Sequence, residues 1–197
     1  MSDVGEAIAA IRAGEPVVLP FDTVYGLAAD PTSEEPVRRL YELKGREARQ
    51  PTAIVAGGIE QLVELIPEVE TELLLRGPFT LIVPNPARRF PWLTGNNPQT
   101  IGVRLPDLSG PAADVLTAVG VVAATSANHP GERDAASFEQ VPEDIRGGAA
   151  AAIDGGALPG SPSTVVDLTQ PEPRIVREGA VSAAETLRRL ESAVRSS

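Results

Sequence analysis

Nine polar or charged side chains in this sequence stand where apolar runs end. Asp22 and Thr23 follow VVLP, and Lys44 and Arg46 close a helical pattern. Arg104 lies in IGVRLP, Ser126 and Asn128 follow VVAAT, Ser163 precedes TVVD, and Arg177 follows RIV. Strand ends with their loops are where α/β proteins bind ligands. An arginine on an apolar sheet is costly unless it is paired or holds an anion. Taken singly, Arg104 and Arg177 read as strand-edge residues paired with Asp or Glu. Four cations without matching local acids point instead to an anionic ligand, such as a nucleoside triphosphate or a carboxylate substrate.

The residue inventory removes other chemistries. Cysteine is absent, which excludes disulfides, thiolate metal sites and cysteine nucleophiles. The only histidine, His129, cannot build a multi-histidine metal site and reads as a loop residue rather than a general base. No P-loop, GxGxxG, HExxH or GxSxG pattern occurs. Lys44 is the sole lysine among 17 basic residues. A compact ammonium with three rotatable donors offers an anion such as a triphosphate a different geometry from arginine's rigid fork, and Lys44 is expected to face the ligand.

The chain of 197 residues suits one domain over 1–197, with no second C-terminal domain expected. A net charge of -10 repels phosphate backbones and anionic membranes, so little or no direct nucleic-acid binding is expected. The acidic N-terminus lacks a signal-peptide pattern, and no apolar run approaches the roughly 20 residues of a membrane span. These features lead to the expectation of a soluble, cytoplasmic protein.

Helices are expected at 2–14, 33–45, 59–66, 68–77, 110–120 and 182–194. Ser33 is the expected N-cap and Gly45 the stop of the second, and Ser182 with Glu185 forms a capping box. Strands are expected at 16–20, 52–56, 80–84, 100–106, 120–125, 149–154, 163–168 and 173–178. The segment 21–31 reads as a strand end and loop. Interleaved strands and helices give an α/β domain around a twisted, mixed open sheet flanked by helices.

The segments LPFDTVYGLAADP, YELKGREARQP, LRGPFTLIVP, IGVRLP, VVAATSAN, STVVDL and RIVREGA, in that order, resemble the threonylcarbamoyl-AMP synthase family, also called the YrdC-like domain. The resemblance runs from about residue 4 to 180. It implies a twisted α/β sheet with a large concave, electropositive cavity. It also implies an enzyme that condenses L-threonine, bicarbonate and ATP to threonylcarbamoyl-AMP and pyrophosphate. Other proteins would then transfer the threonylcarbamoyl group to adenosine 37 of tRNAs reading codons that begin with A.

By the same resemblance Thr23, Arg104, Ala124 and Ser163 would hold L-threonine. Lys44, Arg46, Gln50, Thr100, Ser126, Asn128 and Arg177 would surround ATP, with Lys44 and Arg46 the catalytic cations and Thr80 shaping the wall. Mg²⁺ would arrive with the ATP phosphates. Phe21, Glu47, Gln50, Val55, Pro130 and Asp134 depart from the usual pattern. A non-catalytic paralogue binding nucleotide or RNA is the alternative. A carbamoyl-transfer module is a third reading, weakened by the lack of accessory zinc-finger or acylphosphatase segments.

Overall fold

The computed structural model describes residues 2–47 and 49–196. Among the described residues, nine strands form one mixed sheet: β1 (Val17–Pro20), β2 (Tyr25–Ala29), β3 (Ala53–Ala56), β4 (Phe79–Pro84), β5 (Thr100–Arg104), β6 (Val121–Ser126), β7 (Ala151–Ala152), β8 (Thr164–Asp167) and β9 (Arg174–Arg177). Their spatial order is β7-β1-β2-β6-β3-β5-β4-β8-β9. The pairs β1·β7, β3·β5 and β4·β8 are parallel and the other five are antiparallel.

Among the described residues, six α-helices cover this sheet unequally: α1 (Val4–Arg12), α2 (Glu34–Lys44), α3 (Ile59–Leu65), α4 (Pro111–Val119), α5 (Glu143–Gly148) and α6 (Ala183–Ser196). Strand side chains alternate between faces, so each strand sorts its residues by parity. Ile101, Val103, Leu81, Val83 and Ile54 join one core with Leu40 of α2, Leu62 of α3, Ile145 of α5 and Leu190 of α6. Val55, Ala28 and Val122 point to the other face and pack with Ala7 and Ile11 of α1 and Val115 and Leu116 of α4. The rest of that second face, over β3, β5, β4 and β8, forms a concave surface.

The elements differ from the sequence reading in a few places. Tyr25–Ala29 is a fully buried strand rather than loop, paired with β1 on one side and β6 on the other. Its Gly-Leu-Ala-Ala run has weak strand propensity, and burial between two neighbours overrides it. Segment 68–77 is a single 3₁₀ turn at Thr71–Leu73. Beyond it Leu74 is extended and Arg76 bridges to Leu105. Only Ala151–Ala152 of 149–154 is strand, and α5 arises without having been anticipated. Ser33 occupies the N-cap position of α2 but makes no side-chain cap bond, whereas Gly45 ends that helix in the left-handed region at φ 67°. Among the described residues, no helix is long and apolar enough to cross a membrane.

Half of the capping box expected at α6 forms. The Glu185 amide donates to Ser182 Oγ at 3.3 Å, while the Glu185 carboxylate turns to Arg188 and Arg189. Ser182→Ala should therefore cost about 1 kcal/mol of stability, read from the midpoint of urea unfolding. An unchanged midpoint would mean that the weak bond contributes nothing.

Candidate functional site

The concave face encloses a cavity of about 590 Å³. Strand parity explains its wall: Thr100, Gly102 and Arg104 of β5, Thr80 and Ile82 of β4, and Ala53 and Val55 of β3 all point into it. Small residues create the room, since Gly26, Ala53, Gly102 and Ala124 all line it. Arg46, Arg49, Arg104 and Arg177 reach the wall, and Asp134 is the one acid among its described residues. Inside a protein whose net charge is -10, this is a local reversal of sign.

At one end the Arg104 guanidinium donates to Asp22 Oδ1 and, at 2.8 Å, to Thr23 Oγ1. Asp22 Oδ2 also accepts a bond from the Asp107 amide at 3.3 Å. Arg104 thus has an acidic partner, contrary to the absence of matching acids read from the sequence. The two lie 82 positions apart, so local inspection could not pair them. Burial pulls the Arg104 guanidinium below its ordinary range, with Arg177 adding to the effect and Asp22 opposing it. The Arg104 Nε is buried with no hydrogen-bond partner.

Beside it, Thr80 Oγ1 and Ser163 Oγ share a bond of 2.8 Å. Arg177, at the end of β9, donates to the Ser163 carbonyl at 2.8 Å. Thr23, Arg104, Ala124 and Ser163 therefore meet at one cavity, with Thr80 on the wall as expected.

The other end is built around Lys44, the last residue of α2, which is only 4% exposed. Its ammonium does not reach the cavity wall. It donates to the Ser126 carbonyl, to the Asn128 carbonyl at 2.6 Å and to Asn128 Oδ1 at 3.1 Å. The expected ligand-facing orientation is thus replaced by a cradle of three oxygens from one chain corner. Three donors radiating from a single nitrogen suit three oxygens grouped around one point, whereas a planar fork does not. Ser126 Oγ also donates to Asn128 Oδ1, and Asn128 Nδ2 donates to the Glu132 carbonyl at 2.8 Å. Burial, together with the charge of Arg46, pulls the Lys44 pKa down to about 8, while Asp134 opposes that fall.

Arg46 is held by Thr125 Oγ1 and the Pro51 carbonyl, both at 2.6 Å, and its Nε is buried without a partner. Burial lowers its pKa, with Tyr41 opposing. Ser126, Thr100, Arg46 and Arg177 line the cavity, whereas Asn128 sits behind the wall and Gln50 is exposed away from it. Among the departures from the family pattern, Phe21, Val55 and Asp134 line the cavity, and Glu47 and Pro130 do not. His129 meets Asp144 at 3.1 Å, off the wall, in keeping with a loop role.

Sequence inspection missed Arg49, Thr94, Asn96, Asn97 and Thr125 on the wall. A signal existed in the TGNN stretch. Gly95 has φ 60°, and a Cβ there would lie 2.4 Å from the Arg49 carbonyl oxygen. Only glycine lets these two wall loops meet backbone to backbone.

Comparison with known proteins gives this geometry a family. The Sua5/YciO/YrdC family model, described as telomere recombination, matches residues 9–179. The threonylcarbamoyl-AMP synthase of Pyrococcus abyssi is 36% identical over 182 residues, covering 89% of this chain and 53% of that protein. This chain thus spans about half the length of that relative. The threonylcarbamoyl-AMP synthase of Pseudomonas syringae is 33% identical over 184 residues, covering 89% of this chain and 97% of that protein. The crystal structure of P. abyssi Sua5 complexed with L-threonine superposes with a TM-score of 0.85 at 33% identity, covering 97% of this chain and 57% of that one. With a family match across most of its length and a relative covered almost end to end, the chain belongs to the Sua5/YciO/YrdC family.

Proposed function

We propose that this chain is a threonylcarbamoyl-AMP synthase, forming threonylcarbamoyl-AMP and pyrophosphate from L-threonine, bicarbonate and ATP. One observation carries the reading: a single cavity joins the Arg104–Thr23–Asp22 cluster at one end to Arg46 and the Lys44-pinned Ser126–Asn128 corner at the other. It is supported by relatives bearing that name and by a relative that holds L-threonine.

Arg104 offers its remaining donors to the substrate carboxylate, and Thr23 and Ser163 flank it. The threonine amine attacks bicarbonate with loss of water, or CO₂ derived from it with loss of a proton, to give a carbamate. A carbamate oxygen then attacks the α-phosphorus of ATP and pyrophosphate leaves. The protein contributes alignment and fixed cations rather than a covalent nucleophile. Arg46 faces the phosphates, while Lys44 acts through the corner that it holds.

Mg²⁺ would travel on the phosphates. No group of three or more His, Cys, Asp or Glu residues among the described residues could hold a metal, and Asp134 alone lines the cavity as a carboxylate. Proteins that transfer threonylcarbamoyl to tRNA are the proposed partners, and the net charge of -10 disfavours direct grip on the tRNA itself.

The test supplies ATP, bicarbonate and L-threonine to the pure protein and follows pyrophosphate. Release should require all three. Release indifferent to threonine would overturn the reading. A pH experiment probes Lys44. Its cradle needs the ammonium, which gives way to the neutral amine as pH rises through about 8. ATP affinity, measured without threonine, should weaken over that interval. An affinity that stays level until the ordinary lysine range near 10.5 would remove Lys44 from the site's electrostatics.

A further inference from the structure

Phe21, Asp22 and Thr23 present three different groups to one guanidinium. Asp22 supplies a carboxylate and Thr23 a hydroxyl, and both accept from Arg104 Nη2. Phe21 supplies a ring whose centroid lies 6.0 Å from the Arg104 Cζ. The ring is only 3% exposed, yet it lines the cavity.

Room for that ring depends on another residue. A Cβ built on Gly26 would sit 2.5 Å from both Cδ2 and Cε2 of Phe21. Gly26 lies within β2, paired to Leu19 and Ser126, and its φ is not positive. Its missing side chain therefore serves close approach rather than a turn. On Arg104, Nε is buried with no hydrogen-bond partner, so an acceptor does not fix that part of the guanidinium. An aromatic face attracts a cation without requiring a lone pair.

We infer that Phe21 is a positioning residue, seated on Gly26, whose ring sets the plane of the Arg104 guanidinium and thereby sets affinity for the amino-acid carboxylate. This rests on the reading of Arg104 as the carboxylate site. The ring acts on the amino acid and leaves the phosphate end untouched, because Arg46 is held by Thr125 and Pro51 instead.

The test titrates L-threonine calorimetrically into the full chain without ATP, then repeats the titration on Phe21→Leu and Gly26→Ala. Leucine keeps the site apolar but removes the π-face, and alanine displaces the ring from beneath. Both variants should weaken threonine binding by roughly 3- to 30-fold, the range expected of one cation–π contact. In Phe21→Leu, ATP affinity should stay within about twofold, which a general loss of folding would not allow. Threonine affinity unchanged in Phe21→Leu, with the wild type binding normally, overturns the inference and leaves the synthase reading standing. A fall in threonine and ATP affinity together in Phe21→Leu marks Phe21 as a packing residue and also overturns the inference. If the wild type itself binds no threonine, the synthase reading fails and takes the inference with it.

Discussion

Arg104→Ala is expected to lower kcat/KM for L-threonine by about 10²- to 10³-fold, the usual consequence of removing one preorganised charge contact from a site that excludes water. The substitution has a second effect. The Arg104 and Asp22 side chains are 11% and 8% exposed, so the alanine variant leaves a buried carboxylate unpaired. Breaking such a pair from one side costs about 3–5 kcal/mol. The two effects separate in the double variant Asp22→Asn/Arg104→Ala. Neutralising Asp22 should restore much of the melting temperature and none of the turnover. Recovery of turnover in the double variant would show that Arg104 matters only as the partner of Asp22. Arg104→Lys should also remain poor, because a point charge cannot satisfy Asp22 and Thr23 while meeting a carboxylate with a fork.

Lys44→Met carries the next largest effect and acts by another route. Two backbone carbonyls and Asn128 Oδ1 converge on this ammonium, and methionine fills its volume without a donor. Each buried acceptor left unmet costs about 1–3 kcal/mol before relaxation, so stability should fall by roughly 2–4 kcal/mol. Turnover should fall about a hundredfold as the Ser126–Asn128 corner loses its fixed position. Lys44→Arg is the sharper probe because it keeps the charge. It should recover less than a tenth of wild-type turnover, since the guanidinium cannot place three donors around one point. Full turnover in Lys44→Arg would show that charge alone suffices. Pyrophosphate release and thermal melting, run in parallel, separate the two contributions.

Much of this could be read before any coordinates, and the exceptions have physical causes. The end of α2 was legible because glycine in the left-handed region is a local signal, and it placed Lys44 and Arg46 correctly. The direction of Lys44 was not legible. Its partners lie 82 and 84 positions away, and nothing nearby in sequence marks the convergence of three carbonyl oxygens. The Asp22–Arg104 pairing was hidden for the same reason. Strand β2 was missed because Gly26, Ala28 and Ala29 are poor strand formers that burial between β1 and β6 forces into line. The wall residues Asn96 and Asn97 lie in a loop, where no periodicity marks which side chains face the cavity, beside the Gly95 backbone that approaches Arg49.

The strand order has a consequence for how the molecule comes into being. The partner of β1 on its outer side, β7, is supplied by Ala151 and Ala152, and the neighbour of β2 on its inner side is β6. The N-terminal hairpin that carries Phe21, Asp22 and Thr23 therefore leaves the ribosome long before either flank exists. Arg177 arrives last of all the cavity cations, on edge strand β9. Such distant pairings slow folding, because a long loop must close before any contact offsets its entropy. While translation proceeds, the hairpin holds two unpaired edges, a state prone to mispairing with other chains. Demand for chaperone protection during synthesis should thus peak before residue 152 emerges, and the binding cavity is among the last features to be completed.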